Sequence, residues 1–137
     1  MRTGLTMGVR ISWLDVEKGI RYWKFEAEWT WQEVYSQMMP EPRGLMLNYG
    51  RIDLIVDFLE TRKFPENLFS NSRIVAENRA DNFGIIIIIS TPYIQALLSS
   101  FYPLNQAFTG RCVFVRTMDE ALALIEQDRV KDETPIG

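Results

Sequence analysis

The chain has 137 residues, of which 47% are hydrophobic and 24% are charged, and its formal net charge is −3. This length suits one globular domain, and the composition excludes a disordered, collagen-like or membrane-spanning chain. The absence of histidine and the single cysteine exclude a Ser-His-Asp triad, a Cys-His dyad, histidine-ligated zinc and an intrachain disulfide.

Charge and hydropathy also limit the compartment and the partners. The sequence pI of 5.0 argues against nucleic-acid binding. The longest purely apolar run, residues 85–89, is far shorter than the roughly 20 residues that a membrane helix needs, so we expect no membrane span. The first residues lack the apolar region of a signal peptide, and one lone cysteine is typical of a reducing compartment, so we expect a cytoplasmic protein.

The first third of the chain predicts a β-hairpin followed by a helix. Residues 9–14 and 20–28 have the composition of strands, and Gly19 suits the turn between them because glycine tolerates positive φ. Thr30 and Glu33 form a capping box, in which each side chain accepts a hydrogen bond from the other residue's backbone N–H. The helix that follows has one apolar face, formed by Trp31, Val34, Tyr35 and Met38.

The middle of the chain predicts two strands around a helix. Residues 51–60 are typical of a buried strand, and residues 67–81 predict a helix with Leu68, Ile74 and Val75 as apolar positions. Residues 83–90 contain five consecutive isoleucines, which make both faces of a strand apolar. This pattern predicts a strand inside a parallel sheet that is covered on both sides.

The last third predicts a helix, a strand and a second helix. Thr91 suits the N-cap of a helix whose apolar stripe contains Ile94, Leu97, Leu98 and Phe101. Residues 111–116 predict a strand. A second capping box, residues 117–120, begins a helix whose apolar face contains Met118, Ala121, Leu122 and Ile125.

The predicted order is therefore β-β-α-β-α-β-α-β-α. We expect a single α/β domain over residues 8–129, with a mixed, mainly parallel sheet and helices on its faces. Residues 1–7 and 130–137 are expected to be flexible ends.

Ligands of open α/β sheets lie beyond the carboxyl ends of the parallel strands. Here those ends carry helix starts with free N–H groups and several basic side chains, which together could bind a phosphate or carboxylate. The alternative is that the threonines are only caps and the basic side chains only solvated. The candidate ligand-binding residues are Arg62, Lys63, Ser90, Thr91, Tyr93, Arg116 and Thr117.

The four tryptophans fall within the first 31 residues, where they could line an apolar pocket or only pack the hairpin onto the first helix. Residues 39–49 form the longest loop-like stretch, and such loops often carry function. The candidate interface residues, for a protein partner or for a second copy in a homodimer, are Trp23, Met39, Met46 and Tyr49.

Three further residues could suggest chemistry. Asp53 and Asp57 share one face of a strand, but roughly 13 Å of strand separates them, too far for one shared proton or metal ion. Asp57 lies within an apolar run and, if buried, would need a partner such as a backbone N–H or an arginine. Cys112 has no histidine to activate it and is expected to be a core or edge residue. We predict no catalytic residue, metal site or cofactor.

The pattern resembles the small SpoIIAA-like domains of the STAS superfamily. The likeness covers roughly residues 8–129 and rests on the hairpin before residues 29–33, the strand at 55–57, residues 83–90 and the segment 113–122. It implies a non-enzymatic regulatory domain that acts by contact with a protein partner. The Asp-Ser-[Ser/Thr]-Gly stretch of the phosphorylated members is absent after residue 60, so the resemblance implies no serine phospho-switch here.

The residues leave an alternative function open. The Trp-rich hairpin or the strand-end loops could bind a small apolar or anionic ligand. An enzyme that uses carboxylates and arginines alone is the third hypothesis, and it would need Asp57 or Asp119 to meet a basic group in a cleft.

Overall fold

The computed structural model describes residues 8–38, 50–77, 83–99 and 112–133. These residues form five strands and four helices in the predicted order. The strands are β1 (Val9–Asp15), β2 (Ile20–Phe25), β3 (Ile52–Asp57), β4 (Phe83–Ile89) and β5 (Cys112–Val115). The helices are α1 (Trp31–Met38), α2 (Leu68–Glu77), α3 (Pro92–Ser99) and α4 (Met118–Glu133).

The strands form one mixed sheet in the spatial order β1-β2-β3-β4-β5. β1 and β2 pair antiparallel, and every other neighbouring pair is parallel. The predicted hairpin turn is confirmed, since Gly19 has a φ of 69°. The Asp15 carboxylate accepts a hydrogen bond from the Lys18 N–H at 3.0 Å and closes the turn.

The helices divide unequally between the two faces of the sheet. On the front face, Val34 of α1, Val75 of α2 and Leu98 of α3 pack in one apolar cluster with the sheet. On the back face, Ala121 and Ile125 of α4 pack in a second cluster. Helices α1, α2 and α3 each connect one parallel strand to the next, and all three connections advance in the same direction across the sheet. Crossover connections of the same hand that advance in one direction place their helices on the same face. The other face is covered by α4, which follows the last strand.

The isoleucines of β4 belong to both clusters, as predicted. Ile86 and Ile88 contribute to the front cluster, whereas Ile85, Ile87 and Ile89 contribute to the back cluster. Successive side chains of a strand point to opposite faces, so a sheet with helices on both sides buries every one of them.

Three expectations differ from the structure. Ile74 is 45% exposed, because Leu68, Ser72 and Val75 take the inward positions of α2. Leu122 is 38% exposed, and Leu124 packs against the back cluster instead. We expected the domain to end at residue 129, but α4 continues to Glu133.

Candidate functional site

The two predicted N-cap threonines use their hydroxyl oxygens as caps. Thr91 Oγ1 accepts from the Ile94 N–H at 3.2 Å, and Thr117 Oγ1 accepts from the Glu120 N–H at 3.1 Å. The Glu120 carboxylate accepts from the Arg116 N–H at 3.3 Å. A carboxylate therefore already lies at the start of α4, where it opposes the binding of an anion.

The other candidate ligand residues differ widely in burial. Arg62 and Lys63 have exposed side chains, and their backbone N–H groups donate to Ala27 O at 3.0 and 3.3 Å. Tyr93 is 75% exposed on α3. Ser90 is fully buried, and its hydroxyl has no hydrogen-bond partner in the described part of the chain. At the carboxyl ends of the parallel strands the structure therefore places exposed cations and a buried hydroxyl, and these groups do not form one continuous polar surface.

An aromatic cluster lies between the sheet and the front helices, with Trp29 at its centre. The Trp29 ring meets Phe25 and Trp31 edge-on, with centroids 4.5 and 4.9 Å apart. It also lies 6.2 Å from the stacked Phe58 ring and 6.0 Å from Phe64. Edge-to-face contacts between aromatic rings stabilise a fold by more than the burial of their surface alone. Packing of the hairpin against the front helices therefore explains many of the aromatic residues in this part of the sequence.

The same cluster borders a cavity of about 70 Å³. Three of the four tryptophans line it, whereas Trp13 lies elsewhere, under the Arg21 guanidinium at 4.6 Å. Among the described residues that line it, the polar side-chain groups are the Ser72 hydroxyl and the indole N–H groups of the three tryptophans. The residues that line it are Trp23, Phe25, Trp29, Trp31, Leu54, Val56, Phe58, Leu68, Ser72, Val75, Ile86, Ile88 and Leu98.

The wall of the cavity includes one unpartnered donor. Trp29 Nε1 is buried and has no acceptor among the described residues, and a buried unpaired donor costs roughly 1–3 kcal/mol. Ser72, which the sequence reasoning missed, occupies the inward stripe of α2 between Leu68 and Val75. Ser72 lies four residues after Leu68, at a position where a helix that packs on a core ordinarily carries a large apolar side chain. Its small size is the sequence signal that could have indicated unfilled space.

A surface groove of about 500 Å³ adjoins the cavity. Leu68, which is half-buried, lines both spaces. The Arg73 guanidinium lies 5.1 Å from the centroid of Phe69, one of the groove residues. The groove is lined by Phe64, Pro65, Asn67, Leu68, Phe69, Ser70 and Leu97.

The predicted interface residues are only partly described. Trp23 is half-buried and lines the cavity instead of forming an exposed surface. Met39, Met46 and Tyr49 lie outside the described residues, as does the rest of the predicted loop at 39–49.

Asp57 is buried on the back face, and its carboxylate is fully partnered. It accepts from the Tyr22 hydroxyl at 2.5 Å and from the Leu59 N–H at 3.0 Å. Lys24 Nζ lies 3.6 Å from Asp57 and 2.7 Å from Glu60. Burial, and then the hydrogen bond to Asp57, raise the pKa of Tyr22 well above its ordinary value. The partners are a tyrosine, a lysine and a backbone N–H rather than an arginine, and they support a structural role.

Asp53, at the other end of β3, holds a second buried network that the sequence did not predict. Its carboxylate accepts from Arg51 Nε at 3.0 Å, from Arg129 Nε at 2.7 Å and from the Ile85 N–H at 2.8 Å. Arg51 also pairs with Asp128. Because Asp128 and Arg129 belong to α4, the network ties that helix to the sheet.

Cys112 is a half-buried residue of β5 that packs against the front cluster. Burial raises the pKa of its thiol to about 12. At neutral pH the thiol is therefore protonated and a poor nucleophile.

Comparison of the chain with protein-family models, with curated proteins and with solved structures finds no match. None of the described helices is long and apolar enough to cross a membrane. Over the same residues, no group of three or more cysteine and acidic side chains is placed to hold a metal ion. The likeness to SpoIIAA-like domains thus rests on the residue pattern and stays a prediction.

Proposed function

We propose that this chain is a non-enzymatic binding module that holds a small, mainly apolar molecule between the sheet and the front helices. The observation that carries the proposal is the cavity of about 70 Å³ walled by Trp23, Trp29 and Trp31. Protein interiors are ordinarily close-packed, so an apolar cavity at the centre of an aromatic cluster is a natural place for a ligand.

The electrostatics of the chain favour binding over chemistry. The buried carboxylates of Asp53 and Asp57 are held by hydrogen bonds and ion pairs away from the cavity. The thiol of Cys112 is protonated at neutral pH, and the sequence contains no histidine. The cavity therefore offers apolar contact and shape, which are the terms that drive binding of an apolar molecule.

Xenon provides a direct test, since small apolar cavities take it up. In ¹⁵N–¹H spectra under xenon pressure, the indole signals of Trp23, Trp29 and Trp31 should shift, while that of Trp13 stays in place. Ser72→Leu should fill the cavity and abolish the shifts, and Ser12→Leu, at an exposed position of β1, is the matched control. The absence of any xenon effect on the three cavity signals would overturn the proposal.

Native mass spectrometry of the freshly purified chain tests the same proposal with the natural ligand. We expect an excess mass on the folded chain that is lost on denaturation. A mass equal to that of the bare chain, together with unaffected indole signals under xenon, would exclude a ligand in this cavity.

A second candidate function is contact with a protein partner, as the SpoIIAA-like resemblance implies. Tyr93 favours it, because a large aromatic side chain that is 75% exposed is typical of an interface. A doubled native mass that Tyr93→Ser returns to the monomer value would support self-association through α3. A cytoplasmic location belongs to the same proposal and follows from the single cysteine.

A further inference from the structure

The cavity is small for a complete ligand site. Ligand pockets ordinarily measure roughly 300–1,000 Å³, whereas this cavity measures about 70 Å³. The adjoining groove is larger, about 500 Å³, but it is open to solvent. A ligand that uses the cavity therefore gains most of its contact area only if it also lies in the groove.

The two spaces share apolar side chains. Leu68 lines both of them, and Phe64 of the groove touches the ring of Phe58, which lines the cavity, with centroids 5.1 Å apart. Leu68 is the first residue of α2 and follows Asn67, whose φ is 60°. A ligand that occupies both spaces therefore contacts Leu68, a half-buried leucine at a helix end.

The segment that supplies most of the groove lining is basic, in a chain that is negative overall. Residues 62–73 carry the basic side chains Arg62, Lys63 and Arg73 against one acidic side chain, Glu66, whereas the whole chain has a net charge of −3. Arg73 lies beside the lining, since its guanidinium is 5.1 Å from the centroid of the Phe69 ring. An anionic group of a ligand in the groove finds a partner there.

We propose that the ligand is an alkyl carboxylate whose hydrocarbon chain runs from the groove past Leu68 into the cavity, with its carboxylate beside Arg73. This inference rests on the proposed function and adds to it the shape, the charge and the route of entry of the ligand. The apolar walls bind the chain through burial of its surface, and the arginine distinguishes the acid from a neutral alcohol of equal length.

Isothermal titration with decanoate and decan-1-ol tests the inference on the intact chain. Decanoate should bind more tightly than decan-1-ol, and Arg73→Gln should weaken decanoate by about tenfold while leaving decan-1-ol unchanged. Leu68→Trp should block the passage and abolish decanoate binding while xenon still shifts the indole signals of Trp23, Trp29 and Trp31. Leu122→Trp, at an exposed leucine on the opposite face of the sheet, is the control for the added indole and should bind decanoate as the wild type does.

The outcomes separate the two proposals. If xenon shifts the cavity signals but decanoate does not bind, the alkyl carboxylate is wrong and the apolar binding module stands. If decanoate binds equally to the wild type, Leu68→Trp and Arg73→Gln, it binds elsewhere and the inference is wrong. Equal affinity for decanoate and decan-1-ol would exclude the role of Arg73. If neither xenon nor decanoate affects the protein, both proposals fail.

Discussion

Ser90 lies at the carboxyl end of β4, fully buried, with an unpartnered hydroxyl within the described residues. Its backbone N–H donates a hydrogen bond to Val115 O of the neighbouring strand at 3.0 Å. The position of the residue therefore depends on its backbone and not on its hydroxyl. A buried hydroxyl without a partner is a cost of roughly 1–3 kcal/mol to the folded state.

We therefore expect Ser90→Ala to leave the free energy of unfolding unchanged or to raise it by about 1 kcal/mol. The comparison variant is Thr91→Ala, which removes the N-cap of α3 and should lower stability by about 1 kcal/mol. Urea unfolding at pH 7 measures both. A clear loss of stability in Ser90→Ala would show that its hydroxyl has a partner after all.

Tyr22 and Lys24 link stability to alkaline pH. Burial and the bond to Asp57 raise the pKa of Tyr22. Burial alone would lower the pKa of Lys24, but its bond to Glu60 and the charges of Asp57 and Glu60 outweigh burial and raise it. A raised pKa in the folded state means that the unfolded chain loses its proton first. The stabilisation is thus fully present below about pH 10 and is lost as the pH rises through the folded pKa values.

Tyr22→Phe removes one of these two groups, so its unfolding free energy should fall less steeply than that of the wild type above pH 10. The difference in slope is at most about 1.4 kcal/mol per pH unit for one group. Urea unfolding between pH 8 and pH 11.5 measures it. Tyr93→Phe, which removes an exposed hydroxyl, should retain the wild-type slope. Equal slopes for Tyr22→Phe and the wild type would contradict the linkage.

At the scale of elements, α1 protects the outer edge of β1. The Gln37 side-chain amide accepts from the Ile11 N–H at 2.9 Å and donates to Val9 O, so it pairs as the backbone of a neighbouring strand would. Glu33 accepts from the Gly8 N–H at 2.6 Å and also completes its capping box with Thr30. Unpaired edge strands invite association with other chains, and these two side chains occupy that edge.

Gln37→Ala should lower the free energy of unfolding by about 1–3 kcal/mol, because two hydrogen bonds are lost, and should promote association through β1. Urea unfolding and light scattering at several protein concentrations measure the two effects. Gln32→Ala, at an exposed position of the same helix, should change neither. An equal effect of both substitutions would point to helix propensity rather than to the strand edge.

For the whole molecule, Asp53 joins distant parts of the chain. It pairs with Arg129, 76 residues away, and with Arg51, and it holds the backbone of β4 through Ile85. A Cβ atom at Gly84 would collide with the side chains of Arg51 and Asp53, so any larger residue there would force the network to shift. This carboxylate acts with the Arg51–Asp128 pair and with the packing of Ala121 and Ile125 to attach α4 to the back of the sheet.

Asp53→Ala should lower the free energy of unfolding by about 3–5 kcal/mol, because two arginines lose their buried partner. Hydrogen exchange should show the amides of α4 exchanging faster, whereas those of β1 and β2 keep their protection. Gly84→Ala should act in the same direction without removing a charge, and Glu126→Ala, on the exposed side of α4, should have little effect. Uniformly faster exchange along the chain would mean that the network stabilises the whole fold and not the attachment of α4.

The sequence by itself determined the elements of this protein. The capping box at Thr30, the N-cap at Thr117, the glycine turn and the two-faced isoleucine strand all depend on residues within a few positions of each other. At Thr117 the predicted box is only half formed, because Glu120 accepts from the Arg116 N–H instead. Local hydrogen bonds and side-chain periodicity act over this range, so the order of strands and helices follows from reading the chain.

Only the tertiary structure decided which face each helix covers, that Leu68 lines both a cavity and a groove, and that Asp53 meets Arg129. The apolar patterns predicted that Ile74 and Leu122 face the core, but both side chains are exposed. Other residues of the same helices face the core instead. The physical reason is the same in each case. Burial and the pairing of charges depend on what the chain brings alongside from far away, and periodicity within one element does not contain that information.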